Sequence, residues 1–101
     1  IVTGATAAVK AGAGFSAFAS AKFALRGLIQ SLAREYGPRG IHFAHVIIDG
    51  IIWGPKAEGY GATREQCLDP EAIADTYLHL IQQDRSAWTQ EIDIRPDAES
   101  F

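Results

Sequence analysis

Methionine is absent from all 101 residues, and cysteine occurs once, at Cys67. A chain that opens Ile-Val-Thr without any methionine is expected to be part of a longer protein. A lone cysteine excludes an internal disulfide, and no charged, apolar, small-residue leader opens the chain, so a reducing, cytoplasmic setting is expected. Basic runs are missing as well. Nine Lys and Arg against twelve Asp and Glu give a net charge of -3, which offers no electrostatic footprint for nucleic acid or an anionic membrane surface. The longest apolar run, around Val46–Ile48, falls far short of the roughly 20 residues that cross a bilayer. A metal pattern is lacking too: His42 and His45, three apart on a predicted strand, point to opposite faces, and no second cysteine stands by. His79 is expected at the surface. Cys67 has no histidine partner and only Arg64 as a basic neighbour, so no nucleophilic role is expected of it.

What is present can build one core. Apolar residues make up 48% of the chain, which bounds it as a single unit over residues 1–101. Ile1 to Gly4 reads as a short buried strand and Ala5 to Ser16 as a Gly-rich loop. From Ala17 to Tyr36, Phe18, Ala21, Leu25, Leu28, Ile29 and Leu32 recur near a 3.6 period, predicting a long helix. Gly37, taking a left-handed conformation, and Pro38 are expected to end it. "IHFAHVII", 41 to 48, is apolar almost throughout, as a central strand covered on both faces would be. Residues 49–69 hold four Gly and one Pro without a period, predicting a long irregular segment. Asp69-Pro70-Glu71 then opens a second helix, with Ile73, Ala74, Tyr77, Leu78 and Ile81 as its predicted buried face. "EIDIRP", 91 to 96, alternates as a last strand. The order predicts an α/β fold with about three parallel strands and two main helices.

The opening string Gly12-x-Gly14-x-x-Ala17 invites a dinucleotide phosphate-turn reading, but its spacing disfavours it. Gly12 lies eight residues past Gly4, not in the turn after the strand, and the next strand begins only at Ile41. The only acid at a strand end, Asp49, comes much too late. In the variant Thr-Gly-x-x-x-Gly-x-Gly opening, Ala8 and Lys10 occupy the later glycine positions.

"FSAFASAKFALRGLIQSLAREYGPRGIHFAHVIIDG" resembles the short-chain dehydrogenase/reductase family. It follows the segment that normally holds Tyr-x-x-x-Lys, a long helix ending in Leu-Ala-x-Glu, a Gly-Ile/Val-x-Val strand and a Pro-Gly turn. The resemblance covers roughly residues 1–82 and implies the carboxyl half of a Rossmann-type doubly wound parallel sheet, without the amino-terminal glycine motif. It also implies an NAD(P)-dependent oxidoreductase acting on a small carbonyl or alcohol substrate, and a homo-oligomer paired through the helix at residues 17–36. The closing "SAWTQEIDIRP" departs from the family's Asp-Gly-Gly ending.

Carbonyl reduction needs a proton donor, since hydride arrival leaves an alkoxide. The family uses Tyr as donor, Lys one turn later on the nicotinamide ribose, and Ser to orient the carbonyl. Here Phe18 holds the Tyr position and Lys22 the Lys position, and the Ser position falls on Ala5 or Thr6. The resemblance assigns cofactor contacts to Lys22, Asp49, Gly50 and Ile51, with Asp49-Gly50 replacing the family's Pro-Gly turn. NAD and NADP stand equally. For each residue a plainer role stays open: Phe18 as core, Lys22 as a solvated lysine, Asp49 as an Asx-type turn instead of a substitute acid, Trp53 as a core edge instead of a substrate wall. A non-catalytic dinucleotide-binding or dimerisation module is the alternative to an atypical enzyme.

Overall fold

The computed structural model describes residues 1–101. Three strands, β1 (Val2–Ala5), β2 (His45–Ile48) and β3 (Glu91–Ile94), form one sheet in that order, all parallel. Helix α1 (Ser16–Tyr36) links the first pair, and α3 (Pro70–Ile81) links the second. This is the predicted partial Rossmann-type arrangement. A short helix, α2 (Pro55–Gly59), and a 3-10 turn at Arg64–Gln66 interrupt the stretch expected to be wholly irregular. Pro55 starts α2 where a missing N–H costs nothing, and the turn is closed by a capping box between Thr63 and Gln66.

All four residues of β2 are buried, because a strand flanks it on each side and a helix covers each face. Ala44, Val46 and Ile48 pack with Leu68 and Leu80, with Ile73 and Tyr77 of α3 against them. The other face carries His45 and Ile47, and across it Glu91 of β3 bonds Arg26 of α1. The two helices thus lie on opposite faces of a sheet whose strands step in one direction. Consecutive right-handed crossovers would leave both on the same face, so the two connections have opposite hands.

Several sequence expectations shift. Within this chain β1 is an edge strand, and only its Gly4 is buried. The strand run 41–48 narrows to 45–48. Gly37 is right-handed at φ -53°, and the chain passes through a 3-10 turn before Gly40, at φ 87°, makes the left-handed stop. The buried stripe of α3 is Ile73, Tyr77 and Leu80, while Leu78 and Ile81 are exposed. Residues 73, 77 and 80 and residues 74, 78 and 81 are both apolar rows at helical spacing, so periodicity alone cannot choose between them. Asp69 caps this helix as expected, its Oδ1 accepting the Glu71 N–H at 2.9 Å.

Gly4 is fixed by its neighbour. A Cβ there would stand 2.0 Å from Nε2 of the fully buried His45. That ring is held from its other side, where Nδ1 donates to Glu91 at 3.0 Å. Gly4→Ala is expected to destabilise by about 1–3 kcal/mol through overpacking. Gly27→Ala, in mid-α1 with nothing within 4 Å of the added carbon, is expected to stabilise by about 0.5–1 kcal/mol. Urea midpoints of the two variants should move in opposite directions; an unchanged Gly4→Ala midpoint would contradict the packing described.

Candidate active site

A cavity of about 730 Å³ opens at the carboxyl ends of β1 and β2, where open α/β sheets bind ligands. Ala5, Thr6, Phe15, Phe18, Ile48 and Ile51 form much of its wall. Both candidates for the Ser position, Ala5 and Thr6, therefore reach it, as do Gly50 and Ile51. The 3-10 turn Thr6–Ala8 that follows β1 directly sets Thr6 at this edge.

Phe18 lines the cavity from the first turn of α1 and is about half exposed, so it is not a core residue. Lys22, one turn on, is outside the lining; its ammonium rests 5.7 Å from the centre of the Phe18 ring. Spacing of i, i+4 puts both on one face, and the cation–π contact contributes about 0.5–1 kcal/mol at such an exposed place. Phe18 has no ionisable proton. The position expected to hold a donor is filled by a hydrocarbon ring under a cation.

Asp49 is buried and bonds side chains instead of forming an Asx turn. Its Oδ1 accepts the Thr6 hydroxyl at 2.6 Å, and its Oδ2 accepts Nε of Arg95 at 3.0 Å. The Thr6 hydrogen bond, and then that from Arg95, hold its carboxyl below the usual carboxylate range against the opposing effect of burial. At neutral pH it is an anion facing two donors. Arg95 is itself clamped: it bonds Asp93 and lies 3.9 Å from the Phe101 ring centre.

Arg95 escaped the sequence reading, although a signal was there. Ile48 pairs with Ile94, so the next residue on each strand brings Asp49 beside Arg95 once the register is known. Lys10 and Phe15, both lining the cavity, were likewise unmarked. Trp53 lies outside the lining and is half-buried, its backbone N–H donated to the Leu68 carbonyl at 2.8 Å, while Tyr60 is 70% exposed. His42 stacks on Trp88 and His45 pairs with Glu91, so the two histidines do not meet. His79 is exposed and Cys67 is buried. No helix is long and apolar enough to cross a membrane.

The sequence pattern of the short chain dehydrogenase family matches residues 1–54, the stretch that builds β1, α1, β2 and every residue lining the cavity. The chain belongs to the short-chain dehydrogenase family. A crystal structure of a short-chain dehydrogenase from Rhodopseudomonas palustris is similar over 93% of this chain, at 48% identity and a TM-score of 0.74. The chain spans 36% of that dehydrogenase. No curated protein matches it. Beyond residue 54 lie α3, β3 and the Arg95 clamp, so the arginine that fixes Asp49 falls outside the short-chain dehydrogenase pattern.

Asp49 and Glu91 both titrate below their ordinary range, Glu91 chiefly through its two bonds from Arg26 and then through His45. A carboxyl whose folded pKa is depressed adds stability above its unfolded pKa and loses it as pH falls through the folded value. Unfolding free energy is therefore expected to decline on acidification from about pH 5 downward. Asp49→Asn should be less stable at neutral pH and should flatten that decline. Urea unfolding at several pH values checks this, and parental slope in Asp49→Asn would refute it.

Proposed function

We propose that this chain is the carboxyl part of an NAD(P)-dependent oxidoreductase with an atypical active site. The observation that carries the reading is Phe18 in the wall of an apolar cavity at the sheet's carboxyl edge, with Lys22 one turn on along α1 beside its ring. The residues present fit the nicotinamide end of a dinucleotide. Ile51 and Ile48 offer an apolar wall beside Gly50, and Lys22, next to the Phe18 ring, offers a cation for a ribose. A bound nicotinamide would supply or accept hydride. In this reading the chain's own residues bind, orient and exclude water, and Asp49, held as an anion, does not serve as the acid.

A second reading, a non-catalytic dinucleotide-binding or dimerisation module, is favoured by one feature. Neither Phe18 nor Ala5 carries a hydroxyl, and the Thr6 hydrogen is directed to Asp49. Under both readings the pairing surface is the exposed apolar side of α1, which includes Phe23 at 44% and Leu28 at 54% exposure. The substrate in the first reading is a small apolar carbonyl or alcohol compound.

Phe18→Tyr separates the two. General acid catalysis is typically worth about 10² to 10⁴ in rate; a gain of about ten-fold is expected here, because Ala5 leaves the carbonyl without its usual hydroxyl partner. The pH profile should also acquire a limb from the new phenol beside Lys22. Nicotinamide absorbance during turnover by the full-length protein, of which this chain is the carboxyl part, measures both. If cofactor binds and neither parent nor variant turns over, the non-catalytic reading replaces the first.

A further inference from the structure

We propose that Asp49 is a positioning residue that makes the cavity selective for a hydrogen-bond donor, an apolar alcohol, over the matching carbonyl compound. The inference rests on the cavity being the ligand site and deepens that assignment.

Threonine has one hydroxyl hydrogen and two lone pairs. In this chain the hydrogen of Thr6 goes to Asp49 Oδ1 at 2.6 Å, a length typical of a charge-assisted bond to a carboxylate. Asp49 cannot turn away to release it. Its second oxygen is held by Arg95 at 3.0 Å, and Arg95 is fixed in turn by Asp93 and by stacking on Phe101. The carboxylate is also buried, so water does not compete freely for Thr6. What Thr6 presents to a ligand is a lone pair. A hydroxyl group can donate to it; a ketone or aldehyde oxygen meets another acceptor.

The rest of the wall sharpens this choice. Ala5, Phe15, Phe18, Ile48 and Ile51 are apolar, and Lys10 is the only charged side chain among the lining residues. No other side-chain hydroxyl lines the cavity, so wherever a ligand oxygen meets Thr6 and not the Lys10 ammonium, the direction of one hydrogen bond sets which oxygen is accepted. Burying an unmatched acceptor loses more than a hydrogen bond gains, which makes the orientation of Thr6 a filter. The device depends on an acid at position 49. An apolar residue or proline there would leave the Thr6 hydroxyl free to rotate and donate.

The test uses 1-phenylethanol and acetophenone, which match in shape and differ in the one polar group. Each is titrated into the full chain without cofactor and followed by calorimetry or ligand-detected NMR. The alcohol is expected to bind about ten-fold more tightly, the scale of one favourable hydrogen bond set against one unmatched acceptor. Asp49→Ala should bring the ratio close to one by freeing the Thr6 hydroxyl. Thr6→Val should do the same with Asp49 still clamped by Arg95, and this keeps the test decisive if Asp49→Ala does not fold. Thr6→Ser should keep the preference. Equal binding, tighter binding of the ketone, binding of neither compound, or an unchanged ratio in Thr6→Val would overturn the proposal. Because no turnover is read, a lasting preference in a chain that never reduces or oxidises anything refutes the enzyme reading alone. Activity gained by Phe18→Tyr alongside equal binding refutes only the selectivity.

Discussion

Everything in this chain is arranged around a four-residue strand that has no surface of its own. His45, Val46, Ile47 and Ile48 are closed in by β1 and β3 at the sides and by α1 and α3 above and below. Three of the four are β-branched aliphatics, suited to a pleated and fully covered position. Burying each such side chain contributes about 1.5–3 kcal/mol. The fourth, His45, is the exception that sets the register of its neighbours. Its ring needs a glycine beside it on β1 and an acceptor beside it on β3, and Gly4 and Glu91 supply them. Arg26 then bonds the same carboxylate twice, so one glutamate joins β3 to β2 and to α1.

The same strand delivers the chemistry at its far end. Asp49 follows Ile48 directly, and the sheet register places Arg95 next to it from β3. From the other side, the short turn after β1 brings Thr6 within 2.6 Å. Three residues distant in sequence thus form a polar chain along the carboxyl edge of the sheet. Beside it α1 contributes Phe18 and Lys22, whose contact is between a cation and a ring. Where a hydroxyl could stand at residue 18 there is a hydrocarbon ring, and the hydrogen of the nearby Thr6 hydroxyl is given to Asp49.

Local pattern told most of the fold. The 3.6 period and the Asp69-Pro70 cap placed both main helices, and the nearly continuous apolar run placed β2. What failed was whatever needs a partner to be seen. Leu78 and Ile81 satisfy helical spacing as well as Tyr77 and Leu80 do, and only docking on the sheet separates them. Gly37 looked like a helix stop because it precedes Pro38, yet the left-handed dihedral sits three residues later at Gly40. For the candidate site, the order of residues singled out Phe18 and Thr6, which line the cavity, and Lys22 and Asp49, which contact those two from outside the lining. Arg95 carried no such mark: its role exists only through pairing across β2 and β3.

The opposed hands of the two crossovers bear on how the chain acquires its shape. Each strand pairs with one more than forty residues away, so no part of the sheet can close through local contacts alone. Chains dominated by such distant pairings fold slowly, because loop-closure entropy must be met before any contact compensates it. Here β2 has to gather a helix from before it onto one face and a helix from after it onto the other. Until both have docked, the three aliphatic residues of β2 are not fully shielded from water, and the sheet is a template for other strands.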